Sequence, residues 1–254
     1  RSILTASPDE RSRLYEELYA ATPEWAVHVR DQIRSLPRRH KRRGMYRRLL
    51  GGNHRAILEI GCGSGDLTWA LSDLANRTVG IDISPERVEA AKKIAPPELS
   101  GRKVEFHAMN AAALDFPDGS FDAAISTSMI EHLHPDDVDT HLREVRRVLA
   151  IGGRYLVWCP NRLGHHKDQE FHLCMMSYAD LIARMTRAGF SRFQVPLFAG
   201  PPLVNAKYKT ALERAMAALR IKILWSHLGI RNICLIATRN GDKQFEDESS
   251  TLIR

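Results

Sequence analysis

Long apolar runs, paired cysteines and an excess of acidic residues are all missing from this 254-residue sequence. No apolar run approaches the roughly 20 residues that a membrane-spanning helix needs. The four cysteines (Cys62, Cys159, Cys174 and Cys234) stand far apart and form no C-x-x-C pair. Because disulfide frameworks and zinc sites have paired spacings, we expect neither, and a reducing cytoplasm is the expected location.

Basic residues are in excess, with a formal net charge of +7. They dominate residues 30–48, where Asp31 is the one acidic residue. Two interpretations of this stretch stay open. It is either a solvated helix face, or a contact for a phosphate-bearing substrate, an anionic membrane surface or a nucleic acid.

From residue 56 onward, strand patterns alternate with helix patterns. The seven expected strands are AILEIG, TVGIDI, KVEFHAM, FDAAISTS, RYLVWCP, RFQVPLF and NICLIATR. This alternation predicts an α/β fold with a doubly wound, mostly parallel Rossmann-like sheet of about seven strands. In such sheets, ligands bind beyond the carboxyl ends of the strands, near the point where the strand order reverses.

The chain is expected to divide into three parts. Capping signals predict N-terminal helices in residues 1–54, and the main domain then runs over residues 55–240. A helical insertion is expected at 201–230, before the last strand. The polar residues 241–254 are expected to form a mobile tail.

A glycine loop, EIGCGSGDLT, follows the first expected strand. Gly61, Gly63 and Gly65 form G-x-G-x-G, whereas the dinucleotide fingerprint needs its third glycine where Asp66 stands. The Gly-Lys-Ser/Thr of a phosphate-binding loop is also missing. Glu59 and Asp66 carry negative charge on both sides of the loop, which favours a cationic ligand over a pyrophosphate.

The second expected strand ends in Asp82, at about the separation from the loop that suits a ribose-binding acid. A carboxylate can accept hydrogen bonds from both ribose hydroxyls and would repel a 2′-phosphate. The alternative is an acid at a helix N-terminus, but Ser84 already serves as the cap there. Asp82 therefore favours a ribonucleoside ligand with little negative charge.

Four motifs in this order resemble the class I S-adenosylmethionine-dependent methyltransferases. They are ILEIGCGSGDLT, VGIDIS, FPDGSFDAAISTSMIEHLHP and LREVRRVLAIGGRYLVWCPN. The resemblance covers about residues 55 to 190 and is greatest to the group that methylates small molecules and lipids. It implies S-adenosyl-L-methionine as the cofactor and S-adenosyl-L-homocysteine as its product.

The resemblance also implies which residues hold the cofactor. They are Glu59, Gly61, Cys62, Gly63, Gly65, Asp82, Ile83, Asn110, Ala111, Thr127, Ser128 and Met129. The glycine loop would wrap the methionine part, Asp82 the ribose, and Ile83 would lie beside the adenine. Asn110 replaces the family's usual acid, and its amide oxygen can still accept from the adenine amine.

Methyl transfer depends mainly on positioning, but a hydroxyl acceptor also needs a base. Glu131 and His132 follow the fourth strand and are the expected catalytic residues; the alternative for His132 is a packing role. His165, His166 and His172 are expected to line the acceptor pocket or brace their loop. No metal site is expected, because their spacing lacks the i, i+4 pair of zinc peptidases.

The leading hypothesis is a methyltransferase acting on a small or lipid-like acceptor, with a phosphate-bearing acceptor and peripheral membrane contact as open options. Tyr15, Tyr19 and Trp25 would then pack the N-terminal helices over the active site. The alternatives are a nucleic-acid methyltransferase that uses residues 30–48, and a non-catalytic cofactor-binding scaffold. The nucleic-acid hypothesis lacks the Asn/Asp-Pro-Pro-Tyr/Phe motif of base amino-methylating enzymes, and Asp66 disfavours a nicotinamide oxidoreductase.

Overall fold

The computed structural model describes residues 3–20, 36–93, 101–163, 172–196, 203–218 and 232–241. Within these residues, eight strands form one sheet: β1 (His54–Ile60), β2 (Ala75–Asp82), β3 (Val104–Ala108), β4 (Phe121–Thr127), β5 (Leu149–Pro160), β6 (Phe190–Pro196), β7 (Leu203–Asn205) and β8 (Asn232–Arg239). The described helices are α1 (Pro8–Ala20), α2 (Leu36–Leu50), α3 (Asp66–Leu71), α4 (Pro85–Lys93), α5 (Pro135–Val148), α6 (Tyr178–Arg187) and α7 (Lys207–Ala218). Short 3₁₀ turns cover Ile3–Thr5 and Ile130–His132.

The strand order β3-β2-β1-β4-β5-β8-β6-β7 confirms the doubly wound, mostly parallel sheet. Strands β1 to β5 pair in parallel, whereas β8 runs antiparallel to β5 and β6. The chain moves outward from β1 to β3 and then returns to place β4 on the other side of β1. The carboxyl ends of β1 and β4 therefore meet at the point where ligands bind in such sheets.

The seven expected strands are all present, and β7 is an addition to them. It lies in the segment that was expected to be a helical insertion, and it pairs antiparallel with β6 through Val195 and Val204. This pairing satisfies backbone groups of β6 that an edge strand would leave open. The described helix of the insertion is α7, and residues 219–231 lie outside the described residues. The expected tail also lies outside them, except for Gly241.

Helix α5 ends before Gly152 and Gly153, the first glycines that follow it in the sequence. It closes at Val148, and β5 begins at once with Leu149. The carbonyl of Arg147 accepts from the Gly119 N–H (3.0 Å) and the Arg239 guanidinium (2.8 Å). These partners satisfy the helix end in place of a glycine cap, so the helix needs none.

Helices cover both faces of the sheet because successive residues of each strand point to opposite sides. Ile57 of β1 packs with Tyr46 of α2 and Leu71 of α3 on one face. Leu58 packs with Leu142 of α5 on the other. Burying each of these side chains contributes about 1.5–3 kcal/mol. Helix α1 instead lies near the carboxyl ends of the strands, where it contacts α4.

None of the helices in the described ranges combines the length and the apolar character needed to cross a bilayer.

Replacing Ser177 with Ala is expected to lower the free energy of unfolding by about 1 kcal/mol. Ser177 and Asp180 form a reciprocal capping box at the start of α6, in which each side chain accepts from the other's backbone N–H. Urea unfolding followed by circular dichroism measures the loss. Ser177→Thr keeps the hydroxyl and should remain close to the wild type, and equal stabilities of all three proteins would contradict the capping role.

Candidate functional site

A cleft opens where the carboxyl ends of β1, β2 and β4 meet, and it encloses about 660 Å³ of empty space, including the part open to solvent. Residues from these strand ends, from the loop after β3 and from α1 and α4 line it. The lining comprises Tyr15, Tyr19, Ile60, Gly61, Ile81, Asp82, Ile83, Arg87, Met109, Asn110, Ala111, Ser128, Met129, His132 and Leu133. Seven of the twelve expected cofactor residues and His132 are thus brought together: Gly61, Asp82, Ile83, Asn110, Ala111, Ser128 and Met129.

The glycine loop is fastened to β2 by its backbone. The N–H groups of Gly61 and Cys62 both donate to the carbonyl of Ile81 at 2.8 Å. Gly61 has φ +76°, and a Cβ there would lie 2.5 Å from Cγ of Met129. The missing side chain therefore lets the chain after β4 pass directly over the loop and form one wall of the cleft.

Asp82 connects the glycine loop after β1 to the start of α4. Its Oδ2 accepts from the Gly63 N–H at 2.8 Å, and its Oδ1 accepts from the Ser84 N–H at 3.1 Å. The residue is 6% exposed and lines the cleft. Each carboxylate oxygen keeps a further lone pair, so Asp82 can also accept from hydroxyl groups of a ligand.

Several expected cofactor residues lie behind the lining instead. The buried carboxylate of Glu59 accepts a hydrogen bond from the hydroxyl of Thr68. Gly65 allows close packing, because a Cβ there would lie 2.7 Å from the ring of Phe106. The hydroxyl of Thr127 lies 3.4 Å from that of Tyr46. These residues shape the loop and strand ends from behind the cleft wall.

Cys62 and Gly63 also lie outside the lining. Burial raises the pKa of the Cys62 thiol well above its ordinary value, which keeps the thiol neutral. Cys62 thus acts as a small neutral filler of the loop, and Gly63 contributes its backbone N–H to Asp82.

Asn110 lines the cleft, but its amide already holds the surrounding loop. Its Oδ1 accepts from the Ala112 N–H at 2.8 Å, and its Nδ2 donates to the Ser12 hydroxyl of α1 at 2.7 Å. The expected hydrogen bond from an adenine amine would therefore use the second lone pair of the oxygen.

Polar contacts hold helix α1 over the cleft, and the sequence pattern did not predict them. The Arg11 guanidinium binds both oxygens of Asp137, at 2.6 and 2.8 Å, and this hydrogen bonding raises the pKa of Arg11. The Tyr15 hydroxyl accepts from the His134 N–H at 2.6 Å. Both contacts reach the first turn of α5, so they fix α1 to the main domain.

Arg87 is a cleft residue that sequence reasoning missed. Its guanidinium lies 4.6 Å from the centre of the Tyr19 ring, and both residues line the cleft. Such cation–π contacts contribute about 0.5–2 kcal/mol. The signal that could have found it was its position in the first turn of α4, just beyond the Ser84 cap and close to Asp82.

Glu131 and His132 occupy the 3₁₀ turn after β4. This turn follows Ser128, whose φ of +49° is unusual for a residue with a side chain. His132 lines the cleft, whereas Glu131 is 2% exposed, and its Oε2 has no hydrogen-bond partner within the described part of the chain. Burial raises the pKa of Glu131 to about 7. Nε2 of His132 lies 4.0 Å from Oε1 of Glu131.

The sequence of residues 57–153 matches the family profile of the methyltransferase domain. The match runs from β1 to the start of β5, and it includes all of the cleft-lining residues except Tyr15 and Tyr19 of α1. Residues 57–153 are thus similar to the methyltransferase domain of S-adenosylmethionine-dependent methyltransferases.

Relatives with this methyltransferase domain are similar over part of their length. A protein of Mycolicibacterium smegmatis described as a probable S-adenosylmethionine-dependent methyltransferase is 32% identical over 141 residues, covering 54% of this chain and 52% of the relative. The ajmaline N-methyltransferase of Rauvolfia serpentina is 35% identical over 116 residues, covering 45% and 38%. The chain thus spans about half, or less, of the length of these curated relatives.

A solved structure shares the fold of the methyltransferase domain. The 1,6-didemethyltoxoflavin N1-methyltransferase of Burkholderia thailandensis was crystallised with 1,6-didemethyltoxoflavin and S-adenosylhomocysteine. It matches with a TM-score of 0.57 over 93% of this chain and 92% of its own, at 18% identity. At this identity, the likeness shows the common fold.

The other expected residues lie in three places: in the cleft lining, elsewhere in the chain, or outside the described residues. Tyr15 and Tyr19 line the cleft as expected, whereas Trp25, His165 and His166 lie outside the described residues. Of the basic stretch 30–48, residues 36–48 belong to α2, and Arg43 pairs with Asp73 at 2.7 Å. This pairing favours a structural role for that arginine.

Gly61→Ala is expected to destabilise the methyltransferase domain by about 2–4 kcal/mol, as the sum of a positive φ and a clash with Met129. Gly63→Ala is the matched control, since Gly63 also has a positive φ (+51°) but a Cβ there would meet no heavy atom within 4 Å. It should cost about 1 kcal/mol. Urea unfolding compares the two.

Adding Met129→Ala to Gly61→Ala should recover part of the loss, because it removes the Cγ atom at 2.5 Å. The result that would contradict this explanation is equal destabilisation by the Gly61 and Gly63 variants, with no recovery of stability in the double variant. The close approach of Met129 would then not be the reason for a glycine at position 61.

Proposed function

We propose that the protein transfers a methyl group from S-adenosylmethionine to a small-molecule or lipid-like acceptor. The observation that carries the proposal is the buried Asp82 carboxylate, which faces the same cleft as the Gly61 loop. The family match and the S-adenosylhomocysteine bound to the Burkholderia thailandensis enzyme support this cofactor. The ajmaline N-methyltransferase supports a small acceptor, and four free, buried cysteines support a cytoplasmic location.

The residues present fit this cofactor. Asp82 offers two oxygens with spare lone pairs to ribose hydroxyls, and Ile83 offers an apolar surface beside them. Gly61 leaves room for the backbone of the loop to approach a ligand. When bound, the cofactor supplies a methyl group on a positively charged sulfur. Asp82 lining the cleft and Glu59 behind it make the surroundings suitable for that charge.

Helix α1 completes the site on the solvent side. Tyr15 and Tyr19 close the cleft from above, and Arg11 holds the helix to Asp137. We assign α1 the role of a lid, as part of an N-terminal extension over residues 1–54. A lid of this kind excludes water and keeps the reacting groups in position.

On the acceptor side, His132 is the group that can take the proton of a hydroxyl acceptor. It lines the cleft next to Met129, and its ring meets the Tyr19 ring edge-on at 6.1 Å. Glu131 lies behind it, with its Oε1 4.0 Å from Nε2 of His132. The pair therefore provides both a proton acceptor in the cleft and a carboxylate that stabilises its charged form.

Asp82→Asn is expected to weaken S-adenosylhomocysteine binding about tenfold to 100-fold, because hydrogen bonds to a charged group contribute about 1.5–3 kcal/mol. Isothermal titration calorimetry measures the affinity, and NAD serves as the competing ligand that the wild type should not prefer. Asp115→Asn is the matched control, since Asp115 is exposed and outside the cleft. Unchanged affinity in Asp82→Asn would refute the ribose contact.

His132→Gln is expected to lower kcat about 100-fold or more for a hydroxyl acceptor, while S-adenosylhomocysteine affinity stays near the wild-type value. Formation of S-adenosylhomocysteine measures turnover, with the acceptor chosen from a panel of small alcohols and phenols on which the wild type is active. His107→Gln is the control, because His107 lies at the end of β3 away from the lining. Wild-type turnover in His132→Gln would exclude a catalytic role.

A further inference from the structure

Three potential metal ligands meet beside the cleft. Glu131 and His132 come from the 3₁₀ turn after β4, and His172 comes from the segment that follows β5. One ligand atom from each side chain lies within 4.8 Å of the other two. The two histidine rings meet edge-on, with their centres 5.0 Å apart.

The backbone holds this cluster together across a long sequence separation. The Cys174 N–H donates to the Glu131 carbonyl at 3.0 Å, which places His172 against the 3₁₀ turn. The same segment is pinned to the end of β5, where the Arg162 N–H donates to the Met176 carbonyl at 2.9 Å. The three side chains are therefore brought together by the fold and not by a flexible surface loop alone.

The buried Glu131 carboxylate points to a bound ligand. Its side chain is 2% exposed, and its Oε2 is buried and has no hydrogen-bond partner among the residues that the structure describes. A buried, unsatisfied carboxylate oxygen is costly, and buried charges are normally paired or bound to a metal. If this position served only for packing, an apolar side chain would be favoured there. The buried carboxylate therefore indicates that a cation binds beside it.

The distances suit an ion after a small adjustment. Donor atoms bound at about 2.0–2.2 Å to one ion lie about 3–3.5 Å from one another. Nε2 of His132 lies 4.0 Å from Oε1 of Glu131, and the three ligand atoms lie within 4.8 Å of one another. To bind one ion, these atoms would have to move closer together by roughly 1 Å. Both histidines are partly exposed, and a change in a side-chain torsion angle would supply a closure of this size.

We propose that Glu131, His132 and His172 bind a divalent first-row transition-metal ion. Two imidazoles and one carboxylate suit zinc or iron(II) better than magnesium or calcium, which prefer oxygen ligands. Three protein ligands leave coordination positions open for water or an oxygen atom of an acceptor. Since His132 lines the cleft, the ion lies at the cleft wall.

This site goes beyond the proposed function and departs from the expectation of no metal. With no ion bound, His132 is the proposed proton acceptor; with an ion bound, it serves as a ligand. Metal binding and methyl transfer are therefore tested separately, and failure of one leaves the other standing.

The test is a titration of the full chain, freed of metal with a chelator, with Co²⁺ and then with Zn²⁺. We expect one ion per chain by calorimetry, a visible Co²⁺ absorption band typical of low coordination number, and loss of that band when Zn²⁺ displaces Co²⁺. Glu131→Gln, His132→Gln and His172→Gln should each weaken binding about 100-fold or more, since even outer partners of a ligand contribute tenfold to 100-fold.

His107→Gln is the matched control and should bind like the wild type, because His107 lies outside the cluster. Circular dichroism verifies that each variant is folded. Absence of stoichiometric binding by the wild type would overturn the proposal. So would binding that persists at wild-type strength in all three ligand variants, because the ion would then lie elsewhere.

Discussion

The Asp82 carboxylate is the interaction on which the arrangement of the site depends. It joins the loop after β1 to the start of α4, since it accepts from the Gly63 and Ser84 backbone N–H groups. Two elements that face the cleft are thereby held by one buried side chain. Its remaining lone pairs suit a ligand with hydroxyl groups, so structural and binding roles coincide at one residue.

The second constraint is the closeness of the chain segments around Gly61. The absent side chain lets Met129 cross the loop, which brings the turn with Glu131 and His132 to the cleft wall. Helix α1 then covers the opening through Arg11 and Tyr15. Asp82 and His132 thus line one cleft because Gly61 leaves room for Met129 to pass, and α1 lies across the opening.

The features of the fold and the site that the sequence predicted are those that depend on local residue patterns. The alternation of strands and helices predicted the sheet, and the positions of Gly61 and Asp82 at strand ends predicted their meeting. It did not predict the contact of Arg11 with Asp137, because those residues are 126 positions apart and nothing local marks their pairing.

The same limit applies elsewhere in the chain. The end of α5 at Val148 depends on a hydrogen bond from the distant Arg239. The position of His172 depends on a backbone hydrogen bond between Cys174 and Glu131. Asn110 was expected to face the adenine, but the short distance to Ser12 on α1 is visible only in three dimensions. Long-range contacts, and not the motifs themselves, decide these details.

The decisive experiment is a crystal structure of the complex with S-adenosylhomocysteine. We expect the ribose hydroxyls to lie within hydrogen-bonding distance of Asp82, with the sulfur on the side of His132 and the Gly61 loop against the ligand. Binding of the nucleoside outside this cleft, or a ribose that makes no contact with Asp82, would contradict it.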